Sequence, residues 1–172
     1  MGRVQWAFVI VLSATSMVAR AEPARQRHQD PQLGFSFDLP PRWTVSKSEV
    51  PGLSRFHGEG CSPTDQPAQC REFVVVVRAT AQEGETSEAA YRRRMRPWKM
   101  SREGQIVVDG EPVPWGVQDY GSGVPDDPRR RLFTVVVVRD RKLFEFTGWS
   151  RPESFSKAQP VFEEMVRSLA FP

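Results

Sequence analysis

The residues of this 172-residue chain best suited to chemistry are two histidines and two cysteines. His57 precedes Cys61 by four positions, and Cys61 opens the polar stretch Gly60-Cys-Ser-Pro-Thr-Asp-Gln-Pro-Ala-Gln-Cys70. A small hydrolase or metal-dependent enzyme would have to be centred there, with His57 as its base or ligand. The sequence supplies no Gly-x-Ser-x-Gly elbow to give His57 a nucleophile. A zinc site from His57, Cys61 and Cys70 would have three ligands and would need both thiols reduced. The cysteine spacing is neither C-x-x-C nor C-x-x-C-H, which argues against a thioredoxin-like redox site and against covalent haem. Two cysteines this close, in an oxidising compartment, most simply form one disulfide, Cys61–Cys70, stabilising by roughly 2–3 kcal/mol. His57 is then expected as a loop or surface residue, His28 as part of a polar leader, and neither a metal nor a cofactor is expected.

The sharpest surface feature is basic. Arg92, Arg93, Arg94, Arg96, Lys99 and Arg102 crowd into eleven positions. On a helix, successive residues point about 100° apart, so these cations would wrap an exposed side and not form a narrow line. Such a surface suits an anionic partner: lipid head groups, an acidic protein or a polyanion. It also suits a solvated face, because arginine outnumbers lysine 20 to 4 throughout the chain. Arg129 to Arg131 would add to it if their loop lay nearby. Asp119, Asp126 and Asp127 flank a glycine-rich loop and offer oxygens to calcium, but without EF-hand spacing they read as a solvated loop. Gly121-Ser-Gly123 is too short for a phosphate cradle, and no Walker or dinucleotide pattern occurs.

The N-terminus sets the compartment. Arg3 gives a small positive region, Trp6 to Leu12 is an uncharged apolar run, and Ala19-Arg20-Ala21 matches a secretory cleavage pattern. Residues 1–21 therefore read as a signal peptide; the run is well short of the ~20 residues that span a bilayer. No transmembrane segment is expected after cleavage. Removing Arg3 and Arg20 takes 24 basic residues to 22, against 21 acidic ones. A near-neutral exported chain gives no reason to expect a nucleic-acid partner.

The elements that must position these residues are mostly strands. Residues 22–32 are polar with two prolines and read as a mobile leader. From Leu33, apolar residues alternate through Leu39, and Pro40-Pro41 ends that strand. Trp43 begins a second strand, and Leu53 to His57 reads as a short edge strand. Glu72 to Arg78 and Arg131 to Trp149 each carry four successive valines, which suits central strands covered on both faces. With a turn at Asp140-Arg141 the second of these is a hairpin placing Val137 opposite Phe144 and Val135 opposite Phe146. Arg141 tolerates positive φ poorly, so a three-residue loop stays open. Asp109-Gly110 is the strongest hairpin turn signal. Thr86 or Ser87 caps a helix whose apolar stripe is Tyr91, Met95 and Trp98, ended or bent at Pro97. Ser150 with Glu153 forms a capping box for an amphipathic C-terminal helix, with Pro160 kinking it or delaying its start to Lys157. The pattern predicts one α+β domain over residues 33–172: an α/β/α sandwich around a mainly antiparallel sheet. The whole chain's hydrophobic share of 39% and charged share of 26% are those of a soluble globular protein.

At the two ends of this domain the sequence resembles the PsbP-like family, related in fold to the Ran-binding Mog proteins and to bacterial envelope proteins of unassigned function. Gly34-Phe-Ser-Phe-Asp-Leu-Pro40-Pro-Arg-Trp43 is similar to the family's opening strand, proline and tryptophan. Phe162-Glu-Glu-Met-Val-Arg-Ser168-Leu-Ala-Phe171, following the strand end Phe144-Glu-Phe146, is similar to its last helix. Between them, over about residues 33 to 171, only the order of elements matches. The resemblance implies the same sandwich and a binding or assembly role, and it carries over no catalytic residue. A photosystem role is not implied, because the charged binding segments of the oxygen-evolving members have no counterpart that can be placed here. The expectation is a secreted or periplasmic non-catalytic module that binds an envelope protein or an anionic surface.

Overall fold

The valine hairpin lies at the centre of the sheet. A computed structural model describes residues 25–46, 48–61, 70–121 and 129–172. Within it β8 (Arg130–Arg139) and β9 (Lys142–Ser150) pair in the predicted register, Val137 with Phe144 and Val135 with Phe146. The turn has two residues, with φ 47° at Asp140 and 61° at Arg141, the positive pair that a type I′ turn demands. Nine cross-strand pairs outweigh the strain of one arginine, so the shorter loop wins over the three-residue alternative. Asp109 and Gly110 form the same kind of turn, at φ 50° and 81°.

The remaining strands add to this hairpin on both sides. β3 (Thr44–Ser46), β4 (Leu53–His57) and β5 (Glu72–Thr80) lie beyond β9, and β7 (Glu111–Tyr120) and β6 (Arg102–Val108) lie beyond β8. The order is β3-β4-β5-β9-β8-β7-β6, antiparallel at every step. The two tetravaline strands are thus central, and β5 pairs with β9. Leu53–His57 is not the edge; that place belongs to β3, which shields its backbone.

Period-two alternation sends one set of side chains to each face. On the larger face, Phe133, Val135, Val137, Phe144 and Phe146 meet α2 (Phe155–Arg167) through Phe155, Ala158, Phe162, Met165 and Val166. On the other face, Val136 and Leu143 meet α1 (Ser87–Met95) through Ala90, Tyr91 and Met95. The architecture is the expected α+β sandwich, helix on sheet on helix.

Three expectations need correction. The polar segment 22–32 is not wholly a mobile leader: β1 (Gln26–Asp30) pairs with β2 (Phe35–Leu39) as a two-stranded ribbon beside α2. Arg27 holds it down, donating to Asp38 and to the carbonyl of Ser168. The capping box at Ser150 does not form, because Ser150 is the last residue of β9, paired with Glu72 and Arg131. Ser154 is the N-cap instead, its hydroxyl 2.8 Å from that of Ser150. Finally, α2 starts at Phe155 and runs through Pro160, which stands on its exposed side, where water can serve the carbonyl a proline leaves unbonded. Thr86 caps α1 as predicted, accepting from the Ala89 N–H. No helix among the described residues is long and apolar enough to cross a membrane. The predicted signal peptide, residues 1–21, lies outside the described residues.

Candidate functional site

His57 does not stand on the surface. It ends β4, is 1% exposed, and has its Nε2 2.9 Å from the hydroxyl of Ser46 on β3. Its Nδ1 lies 3.6 Å from Sγ of Cys70 and 3.9 Å from Sγ of Cys61. The two cysteines form a disulfide, with their Cα atoms 5.4 Å apart. The donor atoms of His57, Cys61 and Cys70 all fall within 4.8 Å of one another, the grouping a metal would need. Joined sulfurs, however, have no thiolate to offer as ligand or nucleophile. The surface expectation failed because β3 pairs with β4 and the disulfide closes over the end of that ladder, burying what a lone strand would expose. Residues 62–69 of the cysteine loop lie outside the described residues.

His28 is also placed in structure. From β1 its ring packs edge-on against Phe37 and Phe56, with centroids 5.6 and 5.2 Å away. Burial pulls its pKa below the ordinary histidine value, and the Asp30 carboxylate opposes that in part.

The basic residues divide. Arg92 bonds Glu88, Arg93 makes a two-pronged pair with Glu85, and Arg94 reaches Glu145 on β9. The Arg93 fork holds the Glu85 carboxyl below its ordinary pKa. Arg102 is separated from this group. It lies on β6 with its side chain toward α2, donating to Gln159 at 2.6 Å, while its neighbour Glu103 accepts from Tyr91 on the α1 side. Adjacent strand residues point to opposite faces, so Arg102 and the helix arginines cannot share one surface. Arg131 likewise turns to the α2 side, over the Phe155 ring and bonded to Asp119. Asp126 and Asp127 lie outside the described residues, as does all of Gly121-Ser-Gly123 except Gly121. What remains together beyond the end of α1 is Arg96, Trp98 and Lys99, all exposed; among the described residues neither cation forms an ion pair.

A recess that the sequence did not mark lies beside them. α1 covers only one end of its face of the sheet. At the other end, Gln118 and Tyr120 from β7, Leu132 and Thr134 from β8, and Glu145, Thr147 and Trp149 from β9 form the floor of a half-open cavity of about 160 Å³. Met95 and Trp98 wall it. Trp98 lies 6.4 Å from Tyr120, Tyr120 lies 5.4 Å edge-on to Trp149, and Trp149 stacks on Phe73 at 5.3 Å. Two polar atoms of these residues, Oε1 of Gln118 and Nε1 of Trp149, are fully buried and have no hydrogen-bond partner among the described residues. The available signal was Gln118 itself, a polar residue on the face of β7 that it shares with buried Pro114 and Gly116.

With this geometry described, the class is plain: the fold is that of the PsbP/Mog1 group. The solution structure of the cyanobacterial PsbP protein from Synechocystis sp. PCC 6803 matches with a TM-score of 0.56 at 16% identity, over 94% of this chain and 99% of that one. The Saccharomyces cerevisiae Ran-binding protein Mog1p matches with a TM-score of 0.59 at 12% identity, over 86% and 95%. LpqN of Mycobacterium tuberculosis, described as involved in cell envelope biogenesis, matches with a TM-score of 0.58 at 12% identity, over 87% and 91%. No protein-family model and no curated protein matches the sequence.

Proposed function

We propose that this chain is an exported, non-catalytic binding module that recognises another envelope component, with residues 1–21 as its signal peptide. The observation that supports it is the fate of the reactive side chains. His57 is sealed against a disulfide, while Arg96, Trp98 and Lys99 stand exposed at the end of α1. A buried histidine has no face for substrate, whereas an exposed aromatic between two cations can engage an anionic partner. The disulfide fits a secreted or periplasmic location. Two proteins of the same fold point the same way, Mog1p as a Ran-binding protein and LpqN through its part in envelope biogenesis.

Of the six cations predicted to form one surface, Arg96 and Lys99 carry the contact. Arg92, Arg93 and Arg94 contribute charge from within ion pairs, and Arg102 belongs to the opposite face. The test is affinity capture from an envelope extract with the immobilised protein and with the double variant Arg96→Glu/Lys99→Glu. The variant should keep its melting temperature and lose most of the captured component, more completely at low salt. Equal capture by both proteins would remove this surface from the account.

A further inference from the structure

Among the described residues, one group of three metal-ligating side chains comes together, His57, Cys61 and Cys70, and the proposed function leaves it unused. The backbone holds these residues in place without help from the disulfide. His57 ends β4, paired with Thr44 on one side and Phe73 on the other. Cys70 lies just ahead of β5, and the N–H of Gly58 donates across to the carbonyl of Glu72 at 3.0 Å. The N–H of Cys61 in turn donates to the carbonyl of Gly58 at 3.2 Å, which sets Cys61 over the end of that ladder. Opening the Cys61–Cys70 bond therefore leaves both sulfurs beside the imidazole.

The spacing suits zinc. Bonds of about 2.3 Å to sulfur and 2.0–2.1 Å to nitrogen, arranged tetrahedrally, put a ligating nitrogen roughly 3.5 Å from each ligating sulfur. Nδ1 of His57 stands 3.6 Å from Sγ of Cys70 and 3.9 Å from Sγ of Cys61. Only the sulfurs have to part, to about 3.8 Å from one another. On the far side of the ring, Nε2 lies 2.9 Å from the Ser46 hydroxyl. With the proton on Nε2 and donated to Ser46, Nδ1 turns its lone pair toward the sulfurs, the tautomer that ligation needs. Charge decides the class of metal. Two thiolates and a neutral imidazole carry two negative charges, which a divalent cation cancels and a monovalent one does not. Where His57 and Cys70 are each 1% exposed, an uncancelled charge would be costly. Three protein ligands leave a fourth position for water. Cys61, only half-buried, gives the way in.

We infer that His57, Cys61 and Cys70 form a zinc site that comes into being when the disulfide is reduced. A dithiol reductant supplies the two electrons. One of its thiolates attacks a sulfur of the bridge, the Cys61–Cys70 bond breaks, and the reductant leaves as its own disulfide while each cysteine gains a proton. Zinc then displaces those two protons as it binds. The inference goes beyond the binding role proposed above and does not depend on it.

The test compares the purified protein, oxidised and after reduction by a phosphine, which adds no competing thiol, in titrations with Co²⁺ and Zn²⁺. The reduced protein should take up one equivalent of Co²⁺ with the sulfur-to-cobalt charge-transfer absorption of thiolate ligation and release it to Zn²⁺. It should also melt at a higher temperature with zinc than without. The oxidised protein should do none of these. In a nuclear magnetic resonance spectrum zinc should shift the ring ¹⁵N signal of His57 Nδ1 and leave that of His28 in place. Cys61→Ser, compared reduced against reduced so that the missing bridge is common to both, should weaken zinc binding by at least about a hundredfold, since partners that merely orient a ligand are worth roughly 10–100-fold. The inference is overturned if the reduced protein binds zinc no better than the oxidised one, or if Cys61→Ser binds it as tightly as the parent. A His57 signal unmoved by bound zinc overturns it as well, leaving two loose thiols as the only ligands. So does a reduced protein that stays unfolded with zinc present.

Discussion

Replacing Gly148 by alanine asks whether α2 is seated on the sheet where the structure places it. Gly148 lies in β9 opposite Phe133, with Phe162 of α2 directly over it. A Cβ built at Gly148 would stand 2.6 Å from both Cγ and Cδ2 of the Phe162 ring. Carbon atoms in contact prefer about 3.5–4.0 Å, so ring or helix would have to retreat by roughly 1 Å. Phe162 has no exposed surface and no room to do so cheaply. Overpacking of this kind costs about 1–3 kcal/mol. The backbone at Gly148 is not left-handed, so alanine would otherwise stabilise the strand by about 0.5–1 kcal/mol. The net expectation is a loss of about 1–2 kcal/mol, read as a fall of roughly 3–6 °C in melting temperature for a domain of this size. Phe162→Leu should partly relieve the clash, so the double variant is less destabilised than the sum of the two single changes. The sign alone is decisive. A melting temperature that rises in Gly148→Ala would mean that Phe162 does not rest on this glycine, and the packing of α2 would have to be redrawn.

Opening the Cys61–Cys70 bridge by the paired change Cys61→Ser/Cys70→Ser should lower stability by about 2–3 kcal/mol for so short a loop, and the urea midpoint should fall accordingly. An unchanged midpoint, with the His57 ring signals unmoved in a nuclear magnetic resonance spectrum, would deny the bridge its place against His57. His28 should make stability depend on pH. Burial lowers its pKa in the folded chain below the ordinary histidine value, about 6.5, so in the window beneath that value the unfolded chain binds more protons, and stability falls as pH falls. Chemical denaturation of the parent and of His28→Gln between roughly pH 7 and pH 5 checks this; the variant should show the shallower slope, and equal slopes would refute the assignment.

What could be read from the sequence, and what could not, divides along chain distance. The β8–β9 register was legible because a two-residue turn and two alternating runs admit few pairings, and each pair is fixed by its neighbours. Leu33 to Leu39 was legible for the same reason: the alternation alone says which side is buried, as Phe35, Phe37 and Leu39 are. β1 was not, since Gln26–Asp30 has no apolar period and is held by side-chain bonds to residues near the other end of the chain, Arg27 to Ser168 among them. His57 was misread because its burial depends on β3 lying outside it and on a disulfide closing over it, neither of which Leu53–His57 encodes. The basic cluster was misread in one residue, Arg102, because helical geometry was extended past Pro97 into a strand that obeys a period of two.

The recess shows why a cavity can be invisible in a chain whose fold is readable. Gln118, Thr134, Thr147 and Trp149 come from three strands, and each alone looks like an ordinary polar or amphipathic position on a half-covered face. They converge only because β7, β8 and β9 are consecutive in the sheet and share the face that α1 leaves partly open. The length of α1 bears on this: it ends at Met95, where Arg96 is the C-cap and Pro97, which has no N–H to continue the hydrogen-bond ladder, follows. Pro97 thus stands where α1 stops short, with Trp98 half-exposed just beyond it at the wall of the recess.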